Sequence, residues 1–334
     1  FYLAETEAFP AACILGHCFT PQSHNNMRTI AFFLLLSLVA YRSQHPDTAR
    51  NIVFLSADAG RTWQDLSAGL PENLRVEYVY ARAGEVFLGS ENGGLYKNAK
   101  APAACWEKIE TGGLFPHEKI TGIFPGSAGV YVSIFQGGFF QYQPGSDHWR
   151  ARHHALKDNT VRAVLETPEA LFVGNDSGIF KSEDGGLSWR QVFSGGQVTS
   201  LVLSEGILVG GGFRGVLRSV DGGENWDWVL TDGGTYKMRV IEGKFVQVSL
   251  AGGLHVSGDG GISWQRMDGG LPPDKSIFDI AKSGGYLFCS HSDGIFRKAD
   301  WGNHWELVHP NAGGTVLGLG VSGGLIYAGA VSGC

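Results

Sequence analysis

At 334 residues the chain is long enough for two ordinary domains or for one large repeat domain. Its 50 glycines and 12% aromatic residues suit short aromatic strands joined by frequent turns, and the lack of any Gly-x-y period excludes collagen. Lys and Arg number 26 against 32 Asp and Glu, and this net charge of -6, spread along the chain, gives no basic face for nucleic acid, which is not expected as a partner.

The N-terminus differs from the rest. Residues 1–26 show no periodicity and precede Met27-Arg28 and the apolar run from Ile30 to Ala40. A basic start followed by about 11 apolar residues reads as a secretory signal peptide, too short to span a bilayer comfortably. The expectation is therefore an exported chain, secreted or periplasmic: residues 1–26 as a non-native upstream segment or a disordered extension, 27–41 as the signal peptide, and a mature chain beginning near Tyr41. Only an uncleaved N-terminal segment would attach it to a membrane. Cleavage removes Cys13 and Cys18, and the remaining Cys105, Cys289 and Cys334 form neither a disulfide framework nor a Cys-x-x-Cys metal site.

From Asn51 onward, apolar runs of four to six residues alternate with Gly-rich turns, and no helical period is sustained. Seven tryptophans, Trp63, Trp106, Trp149, Trp189, Trp226, Trp264 and Trp305, recur roughly every 37 to 43 residues, a repeat length that suits a four-stranded unit. A second marker counts the same units: a strand, a short turn, a Gly and another strand, as in Leu171-Phe-Val-Gly...Gly178-Ile-Phe and Leu208-Val-Gly...Gly215-Val-Leu. That Gly is expected to supply the positive φ of a tight turn between second and third strands. The last unit has two strands, 316–321 and 325–328, and the chain start offers the missing pair, 51–55 and 62–66. Joining the ends in one blade closes a ring, so 51–334 is read as one domain, with a fragment of a longer protein as the open alternative.

Four of the tryptophans close an eight-residue motif: Ser56-Ala-Asp-Ala-Gly-Arg-Thr-Trp63, Ser182-Glu-Asp-Gly-Gly-Leu-Ser-Trp189, Ser219-Val-Asp-Gly-Gly-Glu-Asn-Trp226 and Ser257-Gly-Asp-Gly-Gly-Ile-Ser-Trp264, with a looser copy at Lys298-Ala-Asp-Trp-Gly-Asn-His-Trp305. These residues resemble the Asp-box of the bacterial-neuraminidase repeat. The resemblance implies an all-β fold, a seven-bladed β-propeller of four-stranded antiparallel blades. In this reading Ser56, Asp58 and Gly60 before Trp63, Ser182, Asp184 and Gly186 before Trp189, Ser219, Asp221 and Gly223 before Trp226, Ser257, Asp259 and Gly261 before Trp264, and Asp300 and Gly302 before Trp305 have structural roles. Each carboxylate and hydroxyl accepts backbone N–H bonds in the turn between third and fourth strands, and the Trp covers it. Pro144 fills the Asp slot of one unit, and the stretch before Trp106 has no Asp.

By size the chain is similar to the photosystem II assembly-factor propellers and, with fewer blades, to the ligand-binding propeller of sortilin. It is not a typical sialidase, for it lacks an Arg-Ile-Pro segment, and Arg75, Arg162, Arg214 and Arg239 have no evident reason to converge. Propeller sites usually lie at one channel mouth, on the loops joining second and third strands and those leading into the first. These offer Glu91, Asn92, Gln136, Asn175, Asp176, Phe213, Arg214, His291 and Asp293 as ligand-binding candidates, with Arg75, His117, Lys119, His153, His154, Lys237, Asp274 and Lys275 on the lead-in segments. The expectation is an exported non-catalytic binding or scaffold module, monomeric, holding a protein or glycan partner. The alternative is a glycoside hydrolase, sialidase-like or xyloglucanase-like, using Asp176, Asp293 or Glu91. No cofactor is implied and no metal site is expected: the adjacent His153 and His154 should point apart, and His291-x-Asp293 has no third ligand.

Overall fold

A computed structural model describes residues 51–331 except 100, 116–118, 147, 157–159, 274 and 312–314. The leader assigned to residues 1–41, and Cys334, lie outside the described residues. Twenty-eight strands are present among the described residues, β1 to β28 in chain order. Six blades take four consecutive strands each: β3–β6 (blade 1, from Val76 to Lys108), β7–β10 (Ile120 to Ala151), β11–β14 (Ala163 to Phe193), β15–β18 (Ser200 to Leu230), β19–β22 (Thr235 to Arg266) and β23–β26 (blade 6, Ile277 to Pro310). Blade 7 is composite, made of β27 (Val316–Ser322), β28 (Leu325–Val331), β1 (Val53–Ser56) and β2 (Gln64–Asp65). Strands β1 and β28 pair antiparallel, Val53 opposite Gly329 and Ser56 opposite Ile326. One parallel bridge, Val331 to Val76, joins this blade to blade 1.

The first strand of each blade faces the axis: β3 (Val76–Arg82), β7 (Ile120–Gly126), β11 (Ala163–Glu166), β15 (Ser200–Ser204), β19 (Thr235–Ile241), β23 (Ile277–Ser283) and β27. Each lies against the next around a closed ring. The second strands are buried on both sides between neighbouring blades and therefore read as near-continuous apolar runs, such as Val130-Tyr-Val-Ser-Ile134. Outermost strands are short and exposed, as in Gln265–Arg266. The radial stacking explains why the sequence shows apolar runs rather than clean alternation.

The predicted glycines do have positive φ, at Gly94, Gly138, Gly178, Gly215, Gly253 and Gly294. A second reason is visible only in three dimensions. A Cβ on Gly178, Gly215 or Gly294 would lie 1.9, 1.8 or 2.1 Å from the carbonyl oxygen of Phe193, Leu230 or His309 on the outer strand.

Four Ser-x-Asp turns share the same serine and aspartate hydrogen bonds, and the closing Trp adds a bond in three of them. In the turn after β17 (Gly215–Ser219), Ser219 Oγ donates to Asp221 (2.8 Å) and accepts from Gly223 N (3.0 Å), while Asp221 accepts from the backbone of Glu224 and Asn225. Trp226 Nε1 then donates to Gly223 O at 3.1 Å. The backbone and side chain of Thr62 hold the Asp58 carboxyl down to about 2, and those of Asn225 do the same for Asp221, again to about 2. Hydrogen bonds from Ser188 and Ser263 lower Asp184 and Asp259 as well. These folded-state values lie below the ordinary aspartate value of 3.8, so the stabilisation is complete above that pH and lost as pH falls through the folded values. Thermal melts between pH 5 and 2 should therefore show stability falling mainly between about pH 4 and 2, less steeply in an Asp58→Asn, Asp221→Asn double variant. An unchanged slope would show that these carboxylates do not hold the turns.

The fifth copy departs from its assigned role. With Lys298 in the Ser slot, Asp300 pairs with Lys282 Nζ at 2.8 Å on β23, and Gly302 N bonds Ala299 O to form the turn. Blade 1, which lacks an Asp, ties its turn with buried Asn98, whose Nδ2 donates to Ala103 O at 2.9 Å. Asn98 sits opposite Val86, as Ser182 sits opposite Leu171, so it takes the serine's place. In the two blades lacking the motif, the Trp bonds the preceding blade instead: Trp106 Nε1 to Leu66 O and Trp149 Nε1 to Glu110 O.

Candidate functional site: a loop face and the channel behind it

Strand alternation puts the second-to-third-strand loops and the loops leading into each first strand on one face. The Asp turns lie on the other. Around the loop face, each candidate carboxylate already has a cation. Glu91 is bridged by Lys119 (3.0 Å) and Arg75 (3.1 Å), with Lys119 the larger cause of its lowered pKa. Arg162 Nε bonds Asp176 at 2.5 Å and Gln197 donates to the same oxygen, which lowers that carboxyl too. Lys275 Nζ lies 2.7 Å from Asp293 with the same effect. A general acid needs a raised pKa at working pH, and these three are all lowered.

Other candidates serve the loops themselves. Asn92 Oδ1 accepts from Arg75 N and its Nδ2 donates to Asn73 O; Asn175 Oδ1 accepts from Ser177 N and Gly178 N. His291 is 1% exposed, with its ring edge-on to Phe296 and Nδ1 accepting from Asp293 N, so it offers a ligand no surface. Gln136 is exposed and adopts φ 53°. His153 and His154 do not point apart as expected: their rings are parallel, 6.1 Å between centroids, because His153 is held by the Phe139 backbone and against Phe140. No group of three His, Cys, Asp or Glu fit for a metal exists among the described residues. His117 and Asp274 lie outside them.

The four arginines do not converge. Arg75 and Arg162 pair with Glu91 and Asp176, Arg214 Nη1 donates to Gly195 O, and Arg239 pairs with Asp279. Between blades 4 and 5 the loop face is apolar. Phe213 (63% exposed) and Leu250 (44%) flank Gly234, whose missing Cβ would meet Leu250 Cδ1 and Phe213 O, both at 2.7 Å. Tyr236 is exposed two residues further on, and Arg214 adjoins Phe213. Phe213 was legible as a loop residue; its pairing with Leu250 was not, because the two belong to different repeats.

The channel holds a cluster that sequence reasoning missed. Asp279, on β23 and 1% exposed, accepts from Lys237 Nζ (2.7 Å), from Arg239 Nε and Nη2 on β19, and from Leu319 N on β27 (3.1 Å). One carboxylate thus joins three blades. Burial opposes its ionisation, but the charges of Arg239 and Lys237 and these bonds bring it below the usual range. Burial pushes Lys237 down, with the like charge of Arg239 adding to this and Asp279 opposing it. Nothing in the local sequence around Asp279 marks it, since its partners are 40 residues away in either direction.

No family profile and no curated protein matches the chain. Among solved structures it is similar to the extracellular domain of BT4673 from B. thetaiotaomicron (TM-score 0.62, 11% identity, 79% of this chain and 42% of that one). It is also similar to YCF48 from Cyanidioschyzon merolae (0.59, 15%, 78% and 95%), a protein also solved bound to D1 peptide. An ancestral GH74 enzyme gives 0.57 at 16% identity, over 79% of this chain and 41% of that one. The chain spans about two fifths of the BT4673 and GH74 chains. At such identities the likeness shows the fold, a β-propeller.

Proposed function

We propose that this is an exported, non-catalytic Asp-box β-propeller that binds a polypeptide partner on its loop face. The observation that carries the reading is Phe213 and Leu250, two large exposed apolar residues that flank Gly234 on the loop face, with Arg214 next to Phe213 in the chain: the aromatic, aliphatic and arginine composition of protein-binding hot spots. The bound D1 peptide of YCF48 supports a peptide on a propeller of this size. Pairing of Glu91, Asp176 and Asp293 with cations favours binding over glycosidic acid–base chemistry. Export is argued from Met27-Arg28 and the apolar run behind it, and mass spectrometry of the exported chain should find its N-terminus near Tyr41.

The test is selection of peptides from a displayed library against the intact protein, followed by affinity measurement. Phe213→Ala with Leu250→Ala should weaken selected peptides by about 30-fold or more, the loss of at least one hot spot of about 2 kcal/mol. Asp176→Ala and Asp293→Ala should leave binding within a few-fold. Hydrolysis of a glycan panel that vanishes in either aspartate variant, with folding intact, would overturn the reading.

A further inference from the structure

The other end of the channel holds a cavity of about 400 Å³, in the range of small-molecule sites. It lies between β3, β19, β23 and β27, on the face of the Asp turns, away from the apolar pair on the loop face. Val79, Val240 and Val321 line it, Val240 the most exposed of the three, and Tyr80 lines it with Arg239.

Charge at the cavity's inner end is unbalanced. Lys237 and Arg239 share the single carboxylate of Asp279, which leaves one surplus positive charge. Arg239 spends Nε and Nη2 on Asp279, and Nη1 makes none of those bonds. At the outer rim two carboxylates face two lysines: Glu242 bonds both Lys282 and Trp301 Nε1, Lys282 also pairs with Asp300, and Lys244, over the Trp301 ring, adds its charge beside Glu242. Arg82 is spent on the carbonyls of Gly126, Ser127 and Gly129. Arg239, 37% exposed, presents its unspent Nη1 edge to a ligand entering the cavity. A planar guanidinium edge fits a carboxylate, and the valine walls fit a short hydrocarbon chain.

We propose that this cavity is a binding site for a small aliphatic monocarboxylate, its carboxylate against the Nη1 edge of Arg239 and its alkyl chain along Val79, Val240 and Val321. The experiment is calorimetric titration of the full chain with butyrate and hexanoate, against butan-1-ol and chloride. Both carboxylates should bind saturably, hexanoate more tightly, while butan-1-ol and chloride give no saturable heat. Val240→Phe, which fills the cavity without touching the Asp279 cluster, and Arg239→Gln should each weaken hexanoate at least tenfold. Should Arg239→Gln fail to fold, Val240→Phe decides alone. Absence of saturable binding, equal binding of butan-1-ol, full competition by chloride, or affinity unchanged in Val240→Phe overturns the proposal.

Discussion

Asp279→Ala should lower the unfolding free energy by about 3–5 kcal/mol, because it leaves two cations without their carboxylate and frees the N–H of Leu319. The lower end is expected, since Lys237 and Arg239 are 30% and 37% exposed and water screens part of the loss. Urea denaturation at neutral pH measures it. Adding Lys237→Met and Arg239→Met to the Ala variant should restore part of the stability, for the penalty lies in the stranded charges rather than in the lost pair. A loss below about 1 kcal/mol would mean that Asp279 does not pin the blades. The sign with pH follows from its lowered folded pKa: the contribution is complete above the ordinary aspartate value of 3.8 and disappears as pH falls through the folded value. Acid unfolding should thus be less steep in the Asp279→Ala background.

Gly215→Ala should cost about 3–5 kcal/mol although it adds one methyl group. The residue has φ 136°, a region that side chains rarely adopt, and the new Cβ would sit 1.8 Å from Leu230 O. The outer strand would have to leave the inner three. Gly206, with φ 78° and nothing within 4 Å of its would-be Cβ, is the control: its Ala variant should lose only about 1 kcal/mol. Equal losses at the two sites would show that conformation alone, and not the close carbonyl, sets the cost. Melting temperatures of the two variants side by side decide it.

Much of the architecture was legible in one dimension because a propeller repeats. Each blade is a local meander, so its strands, its hairpin glycine and its Ser-x-Asp turn all fall within about 40 residues, and the repeat can be counted from Trp63 to Trp305. The same locality let the Ser56-to-Trp63 turn place 51–66 opposite 316–328 in one blade. Where the motif decays, the reading thinned. Asn98 takes over the serine's position with different atoms, and Asp300, which looks like a turn aspartate, is drawn away by Lys282 from the neighbouring hairpin. A residue's type suggests the bonds it can make, but the partner that folding brings beside it selects among them.

The candidate site shows the division most clearly. Loop membership of Glu91, Asp176, Phe213 and Asp293 follows from the period alone, and so does the composition of the face. The sequence by itself determined the repeat, the strand order within each blade and which turns are organised by their own side chains, since these depend on contacts between residues close along the chain. Only the tertiary structure decided that each loop carboxylate is neutralised by a cation, that Phe213 and Leu250 flank Gly234, and that Asp279 gathers Lys237, Arg239 and the backbone of Leu319. Arg162–Asp176 and Lys275–Asp293 close within one blade but across two strands, while the Lys119–Glu91 and Asp279 contacts run between blades, set by the radius at which seven sheets pack around one axis, and no local pattern records that radius.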